Sequence, residues 1–149
     1  MKLFRLLLLA TMATTLLSGC KKVVNNDPPL PAAPVTYDTI EGCWQLTEWN
    51  GEVLAEGTYL YAKFDGVERR FEMWDNLGSM YVQHKSGSFT ITTNKQGDAK
   101  LSGVYDYGVG DWGNDYLVMM LGSLGEKMVW YAEEESITFS RIEEIPELN

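Results

Sequence analysis

The chain has 149 residues, 45% hydrophobic and 22% charged, which suits one globular domain with its own core and leaves no room for a second of full size. Acidic residues outnumber basic ones 21 to 12, for a net charge of −9, and this argues against nucleic acid as a partner, since polyanion binding needs clustered basic side chains to displace counterions. Two cysteines and one histidine are too few for a zinc site built on Cys and His or for a disulfide-rich scaffold, and no metal or cofactor is expected.

At the amino end, Lys2 and Arg5 precede the apolar run 6–10 and a second apolar stretch that reaches Leu17, the layout of a secretory signal. Thr11, Thr14 and Thr15 interrupt it, so it lacks the ~20 unbroken apolar residues of a membrane span. Leu17-Ser18-Gly19-Cys20 resembles the lipobox of bacterial lipoproteins, in which cleavage falls before the cysteine and its sulfur receives a diacylglyceryl group. That resemblance makes residues 1–19 a lipoprotein signal peptide and Cys20 the lipidation site. The mature chain then loses two cations, Lys2 and Arg5, and its net charge falls from −9 to −11. An anionic membrane surface repels such a domain, so attachment rests on the acyl chains, two or more of which anchor stably where one does not. Lys21 directly after the cysteine resembles the sorting pattern of enteric lipoproteins carried to the outer membrane, which implies a Gram-negative envelope. No acidic run follows Cys20 to indicate surface display. Residues 20–39 hold Asn25, Asn26, Pro28, Pro29, Pro31 and Pro34 and read as a flexible linker.

From Ile40 onward the pattern changes to short runs of aromatic and β-branched residues closed by Gly, Asn or Asp. Strands are expected at 42–49, 58–64, 69–74, 80–93 with a bulge near Gly87, 100–107, 115–121, 127–132 and 136–142. Asn50-Gly51 and Asp65-Gly66 are turn dipeptides, because Asn and Gly accept the positive φ of tight hairpins. Sequential antiparallel pairing of eight such strands closes into an up-and-down β-barrel over residues 40–149, which removes exposed sheet edges. Alternation puts Trp44, Leu46, Leu60, Ala62, Phe64, Phe71, Met73, Phe89, Ile91, Leu101, Gly103, Tyr105, Met128, Trp130, Ile137 and Phe139 on one face, with mostly polar residues opposite.

Gly42-Cys43-Trp44 at the start of the first strand and Arg141 on the last resemble the paired signature of the lipocalin superfamily. The run IEGCWQLTEWNGE, the segment LSGVYDYGVGDWGNDY and the ending ITFSRIEEIPE are similar to the lipocalin-like lipoproteins common in Bacteroidetes, a likeness covering residues 40–147. The resemblance implies that Arg141 packs across Trp44 at a closed barrel end. It also implies a non-enzymatic envelope protein that binds a small apolar or amphiphilic ligand or serves as an accessory subunit. A barrel of eight strands is just wide enough to be filled by its own side chains or to hold one small ligand, and the bulky inward set leaves both outcomes open. Phe71, Tyr105, Trp112 and Trp130 are the candidate ligand-binding residues.

Chemistry by the usual hydrolytic routes is excluded by a single imidazole, His84, which is expected on a strand or at the surface. No catalytic residues are assigned and no enzyme is expected. Cys43 reads as a half-buried thiol, and without acylation of Cys20 a Cys20–Cys43 bridge stays open. Asp106, Asp111, Asn114 and Asp115 are oxygen donors of the kind that bind Ca²⁺, but their spacing matches no EF-hand, and turn formation beside Gly108, Gly110 and Gly113 explains them. Glu133-Glu134-Glu135 reads as a solvated hairpin turn. Trp74, Asp75 and Trp112 are placed at the barrel rim, either stacking on flat ligands or capping the barrel. Leu117, Met119, Leu121, Val129 and Tyr131 form an apolar patch on the outer face, expected to be covered by Val35, Tyr37 and Ile40 of the linker or Ile145 and Leu148 of the tail rather than by a second copy. A protein partner is the alternative to a small ligand: an interaction module such as a protease-inhibitor or assembly-factor barrel working through its rim loops.

Overall fold

The computed structural model describes residues 32–108 and 110–148. The expected signal peptide, Cys20 and the first part of the expected linker lie outside the described residues. The elements are β1 (Ala32–Ala33), α1 (Tyr37–Ile40), β2 (Gly42–Trp49), β3 (Glu52–Val53), β4 (Leu60–Asp65), β5 (Arg70–Asp75), β6 (Gln83–Thr93), β7 (Ala99–Tyr105), β8 (Tyr116–Leu121), β9 (Lys127–Ala132) and β10 (Glu135–Ile142). Pairing runs β2-β4-β5-β6-β7-β8-β9-β10, antiparallel throughout, and β10 returns to pair with β2. The result is a closed eight-stranded up-and-down barrel, with β3 an extra hairpin strand on β2 and β1 an addition to β8.

The eight barrel strands fall within three residues of the expected bounds at every end. Their turns explain why. Asn50 and Gly51 have φ of +53° and +78°, the two positive values a two-residue primed hairpin requires. Glu133 and Glu134 form the two-residue turn between β9 and β10. Asp65 also begins a turn, through its Oδ1 accepting from the Glu68 N–H at 2.8 Å, but the positive φ there belongs to Arg69 rather than Gly66.

Alternation delivers the core. Trp44, Phe64, Phe71, Phe89, Leu101, Met128 and Phe139 are buried inside the barrel, joined by Tyr116, Val118 and Met120 of β8. Phe64 meets Phe89 edge-on with ring centroids 5.1 Å apart and Trp130 at 6.1 Å, so aromatic rings fill the half of the barrel nearest Trp44.

Three expectations need correction. Residues 32–39 are not linker: β1 pairs with the end of β8, Ala33 opposite Met120, and α1 plugs the barrel. Thr36 and Thr39 form a reciprocal capping box, which makes so short a helix hold. The bulge expected near Gly87 is absent, since the ladders through Phe71, Gly87 and Tyr105 keep register. Gly87 is required there because a Cβ would collide with the Val104 carbonyl oxygen and lie 2.6 Å from the Phe71 ring. Finally, the outer patch is covered only in part, Val129 being buried and Leu121 half-buried, and Ile145 and Leu148 of the tail are themselves half-buried. Tyr37 and Ile40 turn into the barrel end, and Leu117, Met119 and Tyr131 remain 38%, 45% and 42% exposed.

The barrel is closed at this end by Arg141. Its guanidinium carbon sits 4.2 Å from the centre of the Trp44 ring. Its Nη1 donates to the Glu41 carbonyl at 2.6 Å, Nη2 to the Thr39 carbonyl at 2.6 Å and Nε to the Gly125 carbonyl at 3.3 Å. Trp44 in turn donates through Nε1 to the Ile40 carbonyl at 2.8 Å. Gly42 permits this approach: it has φ +117°, and a Cβ on it would lie 2.8 Å from Arg141 Nη1. Burial pulls the Arg141 pKa down from its usual value, opposed by the negative charge of Glu126, yet a guanidinium stays charged throughout the accessible pH range.

Arg141→Ala strands three carbonyls and removes the cation from the indole face, so we expect a loss of ~1–3 kcal/mol, read as a melting temperature several degrees lower. Arg141→Lys should recover little of it, because an ammonium lacks the planar fork that reaches these acceptors together. An unchanged melting temperature in both variants would remove this contact from the account of stability.

Candidate ligand site at the barrel mouth

The end opposite Arg141 is open, and its geometry follows from one short ladder. β7 and β8 pair over only three positions, from Ala99↔Val118 to Leu101↔Tyr116. Beyond Leu101 the loop between the two strands takes the place of β8. The Tyr105 N–H donates to the Gly110 carbonyl at 3.1 Å, the Trp112 N–H donates to the Gly103 carbonyl at 3.0 Å, and Val104 bridges Asp111. Backbone donors that a barrel strand would satisfy are thereby satisfied by the loop.

The loop delivers an indole into the interior. Trp112 packs on Gly103 so closely that a Cβ there would overlap its six-membered ring. Inside, its ring lies 5.1 Å from Trp130 at an interplanar angle of 22°, and 5.0 Å from Phe71 at 64°. Phe71 lies 5.7 Å from Tyr105. The structure thus brings Phe71, Tyr105, Trp112 and Trp130 into a single aromatic cluster. Above it is a cavity of about 150 Å³ bordered by Tyr105, Trp112, Tyr116, Trp130, Trp49 and aliphatic side chains that include Leu60 and Ile137. Phe71 supports the cluster from below and does not line the cavity.

Two polar features mark this mouth. The indole N–H groups of Trp112 and Trp130 are buried with no acceptor among the described residues. A buried donor left unpaired costs about 1–3 kcal/mol, so two on neighbouring stacked rings are unusual. Nearby, Asp75 is 95% buried, and Lys85 donates to its Oδ2 at 2.7 Å while the Leu77 N–H reaches Oδ1 at 3.3 Å. Burial raises the Tyr105 pKa, with Lys85 opposing and Asp75 reinforcing, and burial likewise raises that of Tyr116, whose hydroxyl donates to Glu135 at 3.4 Å. Both phenols therefore stay neutral donors at physiological pH.

Trp49 and Lys85 escaped the sequence reading. Trp49 has the wrong parity for the interior by strict alternation from Trp44 and Leu46. A bulge at Thr47, where Phe139 pairs with Leu46 but Thr138 with Glu48, reverses the facing and brings Trp49 to the cavity. No residue type announces that bulge. Lys85 had a signal: it shares parity with Gly87 and Phe89 on an inward face, where a lysine needs a partner.

The remaining candidates lie elsewhere. Trp74 faces outward, stacked on His84 at 5.0 Å and 19°, and His84 Nε2 is 3.0 Å from Glu72 Oε2 on the exposed surface. Cys43 is a half-buried free thiol. Among the described residues no group of His, Cys, Asp or Glu is arranged to hold a metal ion. Asp111 accepts from the Gly113 N–H at 2.9 Å as a turn residue. Asp106 pairs with Arg70 and accepts from the Ser86 hydroxyl, and those contacts, the guanidinium's first, hold its carboxyl below the usual range. That pair pins the start of the Trp112 loop to β5 and β6 and persists until acid protonates Asp106 below that range.

No family model matches the chain, and no curated protein or solved structure matches it.

Gly103→Ala should expel the Trp112 ring while leaving the barrel strands paired. We expect red-shifted, more quenchable tryptophan emission and faster proteolysis within residues 106–115, both relative to Gly103→Ala made in a Trp112→Phe background. Equal emission in the parent and the Gly103→Ala protein would show that the ring does not depend on that glycine.

Proposed function

We propose that this protein is a non-enzymatic, lipocalin-like binding barrel, lipid-anchored through Cys20 in a Gram-negative envelope, that holds a small apolar or amphiphilic ligand in the aromatic mouth. The observation that carries the reading is the cavity of about 150 Å³ between Trp49, Trp112 and Trp130. Concave, mostly apolar sites are where small molecules bind, and this one is bordered by two tyrosines and three tryptophans among aliphatic side chains. The Trp44–Arg141 contact supports the lipocalin resemblance at the opposite end. A second reading, an accessory subunit or interaction module, is favoured by the exposed patch of Leu117, Met119 and Tyr131, where Leu117 pairs directly with Tyr131 across β8 and β9.

Native mass spectrometry of protein extracted gently from envelope membranes separates the two. A retained small molecule, released by Trp130→Ala, is the expected result. A retained polypeptide lost on Met119→Glu, with no small molecule, would replace the carrier reading by the interaction module.

Anchoring has its own test. Cys20→Ser should shift the protein from the membrane fraction to a soluble or unprocessed form of different mass. Unchanged detergent partitioning together with unchanged mass would end the lipoprotein reading.

A further inference from the structure

The outer face of β8 and β9 leaves apolar side chains in water, and the charges around it say what covers them. We infer that this face binds a second copy of the chain, about a twofold axis that lies in the plane of the sheet and crosses the strands.

The face is built about one row of residues. Ala99, Val118, Trp130 and Ile137 stand side by side on β7, β8, β9 and β10, all with inward parity. The residues one position before and after each of them therefore point outward. On β8 these are Leu117 and Met119, and on β9 they are Val129 and Tyr131, of which only Val129 is buried. Leu117 pairs with Tyr131 and Met119 with Val129, so the four make one contiguous apolar patch across two strands. Monomers seldom leave such a patch to solvent.

The flanks supply the charge. On β7 the outward neighbours of Ala99 are Asp98 and Lys100, and on β10 those of Ile137 are Ser136 and Thr138. Three positions from Trp130 in either direction stand Lys127 and Glu133, both exposed. Among the described residues none of these four charges is in a salt bridge, although the Asp98 carboxylate accepts from the Asn94 side-chain amide at 2.9 Å.

A half-turn about the row exchanges the two neighbours on every strand. Leu117 of one copy then lies over Met119 of the other, and Tyr131 over Val129. Lys100 meets Asp98, Lys127 meets Glu133 and Ser136 meets Thr138, each pair being formed twice. An axis along the strands between β8 and β9 would instead set Asp115 over Glu133, carboxylate against carboxylate. Charge thus selects the axis, and the resulting packing keeps the two sheets aligned face to face. Opposite charges placed symmetrically about an apolar centre are what an isologous contact needs, whereas a foreign partner gives no reason for them. The net charge of −9 on each copy is screened beyond ~8 Å at physiological salt, so the local pairs decide.

The test reverses charges that are exposed in the single chain. Lys127→Glu, Glu133→Lys, both changes in one chain, and an equal mixture of the two single variants are compared with the parent by sedimentation equilibrium of the full chain in a density-matched detergent. Carbodiimide cross-linking of membranes before extraction repeats the comparison without detergent and decides where the two disagree. Each protein is first shown to melt cooperatively. The parent is expected to be a dimer of its own mass. Each single reversal should weaken that dimer about tenfold or more, while the double variant and the mixture return to within about threefold of the parent, because both restore opposite charges across the axis. A monomeric parent overturns the inference, and so does a bound polypeptide of any other mass. A dimer that the single variants leave unchanged, or that the double variant fails to restore, overturns this face and axis. The cavity is not involved in any of these outcomes, so the carrier reading is decided separately.

Discussion

One guanidinium holds the closed end of this barrel together. Arg141 comes from the last strand, the ring it covers from the first, and the carbonyls it bonds from α1, the residue after α1 and the turn between β8 and β9. The point where β10 meets β2 is where a barrel made from one chain must join its two ends, and there the ladder alone has no turn to fix its register. A planar, multiply donating cation supplies that register, and its own desolvation is compensated by three acceptors and an indole face. With that end fixed, the aromatic filling up to Trp130 has a floor to pack on, and the mouth can depart from regular pairing without the sheet opening.

The mouth does depart. Three paired positions between β7 and β8 are a weak seam for a barrel, and the loop repairs it by donating and accepting in place of a strand. Because that repair is made by loop backbone rather than strand, a side chain at the seam is free to point inward from a direction no strand residue has. Trp112 uses that freedom and Gly103 makes the space. Rigid walls from β9 and β10 thus face a wall that belongs to a loop, the arrangement in which binding residues commonly occur.

Much of this was legible in the residues and some was not, for physical reasons. Period-two alternation between turn dipeptides is a local property, so the eight strands and most inward residues could be read directly, Asn50-Gly51 being the plainest case. The clustering of Phe71, Tyr105 and Trp130 follows from the same parity once the strands are set around a barrel. Trp49 could not be placed, because a bulge is decided by how two strands far apart in sequence settle their register. Residues 32–39 looked like linker because proline and asparagine dominate what precedes them. Yet Thr36 and Thr39 cap a single turn, and Tyr37 accepts from the Ile91 N–H at 3.0 Å while resting on Phe89. Composition averages over a window, whereas docking of this kind depends on two or three side chains. Gly87 misled for the reverse reason: a glycine within a strand signals either a bulge or a close neighbour, and the neighbours that make the difference, the Val104 carbonyl and the Phe71 ring, lie on other strands.

The position of β1 has a consequence for orientation. It joins the barrel beside the end of β8, at the end closed by Arg141, while the cavity opens at the other, where β2 ends, β10 begins and the Trp112 loop folds back. The described chain therefore enters the barrel at its base, on the side away from the opening.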